Sequence, residues 1–297
     1  MFDDLELDHQ LKLGLKDMAL TQATPVQDKA LQPALAGKDL MISAETGSGK
    51  TLAYLLPIAQ RLLTTVPDRN AGTLALVLVP TRELARQVVK HARTLLAKSP
   101  LQAQALTGGA DFKYQAAIFR KNPEIVVATP GRLLEHCQKG SADLSALQVL
   151  VLDEADRMLD LGFREDVLAV NDFCADTKQT LMLSATLQHK GVGSIARSLL
   201  KSPESVTVGE VRQAHSSIIH QRILADGQEH KDKLLPVLLQ NPAYQRVLVF
   251  ANKRSTASRL SALLRHHGLR CDSLHGDLST EERKRVIARI NDGKTQV

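Results

Sequence analysis

Tryptophan is absent from this chain of 297 residues, and aromatic residues make up only 3% of it. Exposed aromatic rings form the base-stacking surface of many proteins that bind single-stranded nucleic acids. A surface dominated by such rings is therefore not expected. If the chain binds a nucleic acid, we expect it to contact mainly the sugar-phosphate backbone.

Cysteine is scarce, and long apolar runs are missing. The three cysteines, Cys137, Cys174 and Cys271, lie far apart and match no metal-ligand spacing, which predicts ordinary buried thiols in a reducing compartment. No stretch approaches the roughly 20 apolar residues that span a bilayer. The first ten residues, MFDDLELDHQ, are acidic where a secretory signal is basic and then apolar. We therefore expect a cytoplasmic protein, monomeric and without a membrane partner.

The net charge of +6 is distributed unevenly along the chain. Residues 1–210 carry 23 basic and 24 acidic groups, whereas residues 211–297 carry 15 and 8. A basic second segment is typical of a part that binds a polyanion, although a solvated helical surface explains it equally well. Charge alone leaves both interpretations open.

Seven short apolar segments alternate with longer helical patterns in residues 1–208. Parallel strands that are covered by helices on both faces have this composition, so the pattern predicts a domain with a doubly wound parallel α/β sheet. The predicted strands are Leu40–Ala44, Leu74–Val79, Ala103–Leu106, Ile125–Ala128, Val149–Leu152, Thr180–Leu183 and Ser205–Val208.

A polar stretch at residues 209–215 predicts a linker to a second α/β domain at residues 216–297. Three further strands are predicted there, at Ile218–Leu224, Val247–Ala251 and Cys271–Leu274. A helix is predicted after Ser279, with Glu282 as its capping-box partner. Because so few strands precede Val297, we expect this second domain to be incomplete.

The segment AETGSGKT lies between a predicted strand and a helix predicted to begin at Lys50, which is the context of a phosphate-binding loop. Its glycines allow backbone N–H groups to point at phosphate, at the positive end of the helix dipole. Lys50 would contact the β- and γ-phosphates, and Thr51 would offer a hydroxyl to Mg²⁺. Alanine replaces the first glycine of the usual motif. The predicted nucleotide-binding residues are Ala44, Glu45, Thr46, Gly47, Ser48, Gly49, Lys50 and Thr51.

Three acidic residues follow the predicted strand Val149–Leu152. Asp153 is suited to hold Mg²⁺ through water, and Glu154 to orient or deprotonate the attacking water, with Lys50 as the third predicted catalytic residue. Acids after a strand also favour the start of a helix without any catalytic role. Because these acids occur in the same sequence as a predicted phosphate loop, the metal-binding interpretation is favoured.

Seven short motifs are distributed along the chain. They are AETGSGKT, Asp153-Glu-Ala-Asp156, Ser184-Ala-Thr186, Pro80-Thr-Arg-Glu-Leu-Ala85, Thr107-Gly-Gly109, Thr129-Pro-Gly-Arg132 and Thr24-Pro-Val-Gln27. Together they resemble those of the DEAD-box ATP-dependent RNA helicases, and within that family a bacterial member. The resemblance covers essentially the whole chain and implies RecA-like domains with a P-loop NTPase fold, ATP and Mg²⁺ as ligands, and sequence-tolerant binding of single-stranded or short duplex RNA.

The resemblance implies roles for residues outside the phosphate loop. Asp156, Ser184 and Thr186 would couple the acids to domain closure. Glycine amides, hydroxyls, arginines and helix N-termini are suitable donors to an RNA backbone. Thr81 and Thr129 could equally be helix caps, and Pro130 a first-turn proline. The predicted RNA-binding residues are Pro80, Thr81, Arg82, Gly108, Gly109, Thr129, Pro130, Gly131 and Arg132.

Adenine selection would depend on Gln27, whose amide can pair with the N6 and N7 edge of the base. Thr24 and Gln27 also form a capping-box pattern with Pro25 at the first helical position. The resemblance places an aromatic residue that stacks on adenine at Phe2, which could otherwise be frayed or packed. The Gly-Phe pair and the proline of the family's motif are replaced here by Ala19-Leu20 and Ala23.

Two segments that the family carries in its second domain, Ala-Arg-Gly-x-Asp and His-Arg-x-Gly-Arg-x-x-Arg, do not occur in this sequence. The second of them contributes an arginine finger, which is worth roughly 10³ to 10⁵ in rate. We therefore expect this chain alone to bind adenine nucleotide but to hydrolyse it poorly. Two alternatives to an RNA helicase stay open: a DNA helicase of the same superfamily, and an ATP-gated RNA clamp without turnover.

Overall fold

The computed structural model describes residues 2, 5–45, 47–65, 72–186, 191–208 and 218–297. The chain divides into two compact units, Met1–Ala214 and His215–Val297. The linker predicted at residues 209–215 lies outside the described residues, as does Thr46 of the predicted phosphate loop. The domain boundaries therefore stay a prediction.

The first unit is built on a parallel sheet of seven strands in the order β3-β4-β2-β5-β6-β1-β7, which confirms the predicted doubly wound fold. The elements of this unit, in chain order, are α1 (His9–Asp17), α2 (Pro25–Leu35), β1 (Leu40–Ser43), α3 (Lys50–Thr64), β2 (Ala75–Leu78), α4 (Arg82–Leu95), β3 (Ala103–Leu106), α5 (Phe112–Phe119), β4 (Ile125–Ala128), α6 (Pro130–Gln138), β5 (Val149–Leu152), α7 (Ala155–Asp160), α8 (Arg164–Asn171), β6 (Gln179–Ser184), α9 (Val192–Leu199) and β7 (Glu204–Thr207).

The central strands are apolar on both faces because helices cover the sheet on both sides. Every residue of β2, β4 and β5 is buried. Side chains alternate between the faces of a strand, and they accordingly divide between two cores: Val77 and Val151 belong to one, Leu78 and Leu152 to the other.

Parallel pairing brings the carboxyl ends of all the strands to one edge of the sheet, where ligands bind in open α/β folds. The loops that follow β5, β6 and β1 are neighbours there, and so are the loops that follow β3, β4 and β2. The predicted phosphate- and metal-binding residues lie in or next to the first group of loops, and the predicted RNA residues lie in or next to the second, whereas Phe2 and Gln27 precede β1.

The second unit contains α10 (Gln228–Leu239), α11 (Arg254–His266) and α12 (Thr280–Asn291) around a small core that includes Leu264 and Cys271. α12 begins as predicted, because Ser279 Oγ accepts from Glu282 N and Glu282 Oε2 accepts from Ser279 N.

The three strands predicted in the second unit are wrong, since no strand forms within residues 218–297. Extended segments do meet there, but only through isolated bonds such as Val247 N–H to Gln296 O at 2.9 Å and Asp272 N–H to Val297 O at 3.1 Å. A strand requires a continuous ladder with a distant partner, which an apolar run cannot specify by itself. Phe250, within one of the predicted strands, is 92% exposed.

The cysteines are unpaired thiols, with Cys137 and Cys271 buried and Cys174 half-buried. Burial raises the pKa of Cys137 to about 12 and that of Cys174 to about 11. Among the described residues, none of the helices combines the length and apolar character needed to cross a membrane.

Candidate nucleotide and nucleic-acid sites

The loop between β1 and α3 is shaped by two glycines with positive φ, Gly47 at 81° and Gly49 at 93°. A Cβ at position 47 would meet no atom within 4 Å, so this position requires glycine for its backbone conformation alone. Lys50 opens α3 and is buried, with its Nζ donating to Ala44 O at 2.7 Å. The ammonium group therefore already lies inside the loop, where it is predicted to bind the β- and γ-phosphates of the nucleotide.

Gln27 joins the amino-terminal segment to the phosphate loop. Its Oε1 accepts from Thr24 N at 2.9 Å, which is half of the capping box foreseen in the sequence. Its Nε2 donates to Gly49 O at 2.9 Å. A Cβ at Gly49 would lie 2.6 Å from Gln27 Nε2, so the glycine is also needed for this close approach. Each end of the amide keeps hydrogen-bonding capacity for a further partner.

Phe2 is packed rather than frayed. It is 3% exposed and belongs to the same core cluster as Leu11 and Val26, so the packing alternative describes its environment. The predicted stacking of Phe2 on adenine stays a prediction. Ala19 adopts a φ of 56° where the family's motif has glycine, which shows that the replacement kept a glycine-like turn.

Asp153 follows β5 and is 4% exposed. Its Oδ2 accepts from the hydroxyl of Tyr54 at 3.0 Å, and its Oδ1 accepts from Glu154 N at 3.0 Å. Burial raises the pKa of Asp153 above its usual value and outweighs the Lys50 ammonium and the Tyr54 hydroxyl, which lower it. The carboxylate is thus fixed in direction at the base of the site.

Glu154 occupies the N-cap of α7 with a φ of 53°, a conformation that costs a residue with a Cβ some strain. Its carboxylate lies 3.5 Å from the guanidinium of Arg157, one turn along the helix. Glu154 thus has a cationic partner on α7, whereas the adjacent Asp153 is hydrogen-bonded to Tyr54.

Asp156 joins α7 to the loop after β6. Its Oδ2 accepts from Thr186 Oγ1 at 2.8 Å and from Thr186 N at 3.1 Å, and Ser184 Oγ donates to Thr186 O at 3.1 Å. Burial raises the pKa of Asp156, but hydrogen bonds from Thr186 and Ser184 outweigh it and hold this pKa below its usual value. The three residues predicted to couple the acids to domain closure are therefore in direct contact.

A pocket of about 350 Å³ is lined by Lys50, Glu154, Asp156, Arg157, Asp160 and Ala185. Its two cations suit a triphosphate, and its carboxylates suit the accompanying Mg²⁺, which prefers oxygen ligands and retains several waters. Both oxygens of Asp153 already accept hydrogen bonds, which fits a carboxylate that holds the metal through water. Within the part of the chain that the structure describes, no group of three or more His, Cys, Asp or Glu residues could hold a metal alone.

The loops after β2 and β3 are held together by an arginine. Arg82 begins α4, and Thr81 caps the helix by accepting from Leu84 N at 3.2 Å. A Cβ on Gly109 would lie 2.1 Å from the Arg82 guanidinium, and one on Gly108 would lie 3.3 Å from it. Gly109, whose φ is 82°, is therefore required for Arg82 to lie across this backbone, whereas a Cβ at Gly108 would only crowd the guanidinium.

The loop after β4 is tied to the same place by Arg132. This side chain donates to Ala110 O at 3.1 Å and to Glu135 Oε2 at 2.8 Å. Thr129 lies at the N-cap of α6 without a side-chain capping bond, and Pro130 takes the first helical position. Hence Thr81 acts as a cap, whereas the Thr129 hydroxyl does not.

Sequence reasoning missed three contacts in these sites: Tyr54 with Asp153, Gln27 with Gly49, and Arg82 over the two glycines. Each joins segments far apart in the chain, as with the 99 residues that separate Tyr54 from Asp153. The one available signal was the tyrosine hydroxyl itself, because a buried phenol in an apolar helix face requires a partner.

The comparisons with known proteins agree with this geometry. Residues 24–195 match the family model of the DEAD/DEAH box helicases, and residues 230–297 match that of the helicase conserved C-terminal domain. The chain is 40% identical over 296 residues to the ATP-dependent RNA helicase SrmB of Escherichia coli (strain K12), covering 100% of this chain and 67% of that protein.

Two further matches point the same way. The ATP-dependent RNA helicase RhlB of Xanthomonas axonopodis pv. citri (strain 306) is 35% identical, and the match covers 100% of this chain and 52% of that protein. The solved structure of S. cerevisiae Dbp5 bound to RNA and ADP BeF3 superimposes with a TM-score of 0.81 at 26% identity, covering 100% of this chain and 74% of that one. The chain thus spans from about half to about three quarters of the proteins it matches here. It belongs to the DEAD/DEAH box helicase family.

Proposed function

We propose that the protein is an ATP-dependent RNA helicase, which binds RNA by its backbone and locally unwinds short duplexes as it binds and hydrolyses ATP. The observation that carries this proposal is the division of one sheet edge into two groups of loops. The phosphate loop, the acids and the Ser184–Thr186 turn follow three neighbouring strands, and the RNA-type loops follow the next three. The relatives named as ATP-dependent RNA helicases support the same activity.

In this proposal the nucleotide is held by residues 44–51, with Lys50 moving from Ala44 O to the β- and γ-phosphates. Thr51 and Asp153 would hold Mg²⁺, the latter through water, and the ion would supply positive charge against the phosphates. Glu154 orients or deprotonates the attacking water. Gln27 and Phe2 select adenine. The hydrogen bond from Gln27 to Gly49 links the adenine-binding residue to the phosphate loop.

RNA is held in this proposal by the loops after β2, β3 and β4. Arg82 and Arg132 supply positive charge, and Gly108 and Gly109 supply backbone amides. Such donors contact phosphate and sugar and carry no sequence information, so binding is sequence-tolerant. The bond between Asp156 and Thr186 links the acids to the neighbouring strand end and couples the two ligands.

The DNA helicase alternative predicts equal action on duplexes with and without an RNA strand, so a preference for RNA-containing duplexes would exclude it. The clamp alternative predicts nucleotide-dependent RNA binding without turnover. Lys50, Asp153 and Glu154 argue for turnover, because a clamp requires nucleotide binding but no group to activate water.

The test is the effect of Glu154→Gln on RNA-stimulated ATP hydrolysis. Turnover is measured in a version of the protein that also carries the family's two arginine-bearing segments, because an arginine finger contributes roughly 10³ to 10⁵ in rate. Glu154→Gln should lower kcat by about 10² or more, as for loss of a general base, and leave nucleotide affinity nearly unchanged. Glu165→Gln, the same change at an exposed position of α8, is the control. Unchanged turnover in Glu154→Gln would refute the catalytic assignment.

A further inference from the structure

We propose that the groove between α4 and α5, above edge strand β3, binds the phosphate backbone of an RNA segment that continues beyond the RNA loops. This inference rests on the proposed function and extends it to a second stretch of surface. This α4 groove has a volume of about 660 Å³, and its lining includes Arg86, Lys90, Arg93, Gln104 and Tyr114.

The charge of the α4 groove differs from that of its surroundings. Arg86, Lys90 and Arg93 line it, and none of the described residues in its lining is a carboxylate. Their spacing of four and three residues places all three on one face of the helix. Residues 1–210 as a whole carry a slight excess of acidic groups, so this concentration of cations is local. A concave surface whose charged groups are cations attracts a polyanion more strongly than a flat solvated face does.

Two of the cations differ in how they are held. Arg93 is fixed, because its Nε donates to Ala103 O at 3.3 Å and its Nη2 donates to Gln104 Oε1 at 3.0 Å. Arg86 lies 3.9 Å from Glu83, and both side chains are more than two thirds exposed. An ion pair of that length and exposure is weak, so the Arg86 guanidinium can turn to a phosphate at little cost.

Tyr114 supplies an exposed ring at the rim of the groove. It is 70% exposed, although only three tyrosines and no tryptophan occur in the chain. Its backbone is anchored where α5 begins, because Tyr114 N donates to Asp111 Oδ1 at 2.9 Å. An exposed aromatic ring beside cations is the arrangement on which single-stranded bases stack.

The α4 groove continues the proposed RNA surface along the same helix. Arg82, held over Gly108 and Gly109, precedes Arg86 by one turn, and Arg93 lies about 16 Å beyond Arg82 at 1.5 Å per residue. A strand that passes the RNA loops therefore meets a row of cations spaced along its path. We expect the groove to add affinity only for RNAs long enough to reach it.

The test compares RNA affinity for a short oligonucleotide that covers only the RNA loops with affinity for one extended by several nucleotides. The variant is Arg86→Gln with Lys90→Gln, which spares the bonds of Arg93. The control is Lys38→Gln with Lys201→Gln, the same charge change at the opposite edge of the sheet, where Lys38 precedes β1 and Lys201 follows α9.

The wild-type chain should bind the longer RNA more tightly, and the groove variant should lose about tenfold for the longer RNA while its affinity for the shorter one is unchanged. The slope of log affinity against log salt should fall by about 0.7 for each lost phosphate contact on a single strand. The control should change neither affinity.

Wild-type binding that does not depend on RNA length, or an equal loss for both RNAs, would overturn the proposal for the groove alone. Failure of Arg82→Gln to weaken the binding of either RNA would instead contradict the proposed RNA loops.

Discussion

At the scale of single residues, the hydrogen bond between Tyr54 and Asp153 is the most buried polar contact of the nucleotide site. The tyrosine is fully buried and the carboxylate is 4% exposed. Phenylalanine would fill the same space without the hydroxyl. The bond therefore does not serve packing, and we interpret it as holding the carboxylate in the direction from which it reaches the metal's water.

Tyr54→Phe should lower the free energy of unfolding by about 1–3 kcal/mol, because a buried carboxylate loses a hydrogen-bond donor. It should also raise, several-fold, the Mg²⁺ concentration at which ATP binding is half-maximal. Urea unfolding and a magnesium titration of nucleotide binding measure the two effects. Tyr244→Phe, at a 41% exposed position, should change neither. A loss of stability without any shift in the magnesium midpoint would leave Tyr54 a purely structural residue.

Ala19 shows what a single departure from the family's pattern costs. Its φ of 56° lies in the left-handed region, which disfavours any residue with a Cβ by about 1–2 kcal/mol. Ala19→Gly should therefore raise the free energy of unfolding by about 0.5–1 kcal/mol, after the greater freedom of glycine in the unfolded chain is subtracted. Thermal unfolding measures it. Ala117→Gly, inside α5, should have the opposite sign, and destabilisation by both variants would contradict a strained turn at Ala19.

At the scale of elements, α5 and α6 are joined by a stack of rings. His136 is buried and lies parallel to Phe112, with ring centroids 4.0 Å apart, while its Nδ1 lies 2.8 Å from Ser141 Oγ. The ammonium of Lys139 lies 4.2 Å from the centre of the Phe112 ring. These contacts fix the start of α5 and hence the loop that carries Gly108 and Gly109.

Burial lowers the pKa of His136, and the charge of Arg132 lowers it further, while Glu135 opposes them. The imidazole of His136 therefore binds a proton more readily in the unfolded chain than in the folded one. The contribution of His136 to stability is complete above its unfolded pKa, about 6.5, and is lost as the pH falls towards the folded value.

His136→Phe keeps a stacked ring but removes the titration, so it isolates this effect. The free energy of unfolding of the wild type minus that of the variant should shrink as the pH falls from about 7.5 to about 5.5. Urea unfolding across this range measures it, and His136→Gln is a second neutral variant if the larger ring does not fit. A difference that is constant with pH would mean that the pKa of His136 is the same in the folded and the unfolded chain.

The strands show where sequence patterns stop being informative about elements. β3, β4 and β5 have the predicted bounds because turn residues flank their apolar runs. β6 is longer than its apolar run because buried Gln179 is satisfied by Ala34 O at 2.9 Å and Lys38 O at 2.7 Å, partners that no local pattern reveals. β1 and β2 end one residue earlier than predicted, although Ala44 and Val79 still donate a backbone hydrogen bond to the neighbouring strand.

At the scale of the whole molecule, the motifs indicated which residues belong to the sites, whereas their arrangement depends on strand order. β2 and β4 are separated in the chain by β3 but are neighbours in the sheet, and β1 pairs with β6. Crossover connections of this kind are not encoded in any single motif. They divide the sheet edge into one group of loops with the predicted nucleotide-binding residues and one with the predicted RNA-binding residues, and the two groups meet between β2 and β5.

Hydrogen exchange of the backbone amides, measured with near-saturating Mg·ATP and separately with single-stranded RNA, shows whether the two ligands bind to different groups of loops. Mg·ATP should slow exchange in residues 44–51, 153–156 and 184–186, after β1, β5 and β6. RNA should slow exchange in residues 81–82, 107–109 and 129–132, after β2, β3 and β4, where Pro130 has no amide. Protection by RNA that falls on the nucleotide loops, or protection by either ligand that leaves its own group of loops unchanged, would contradict the account.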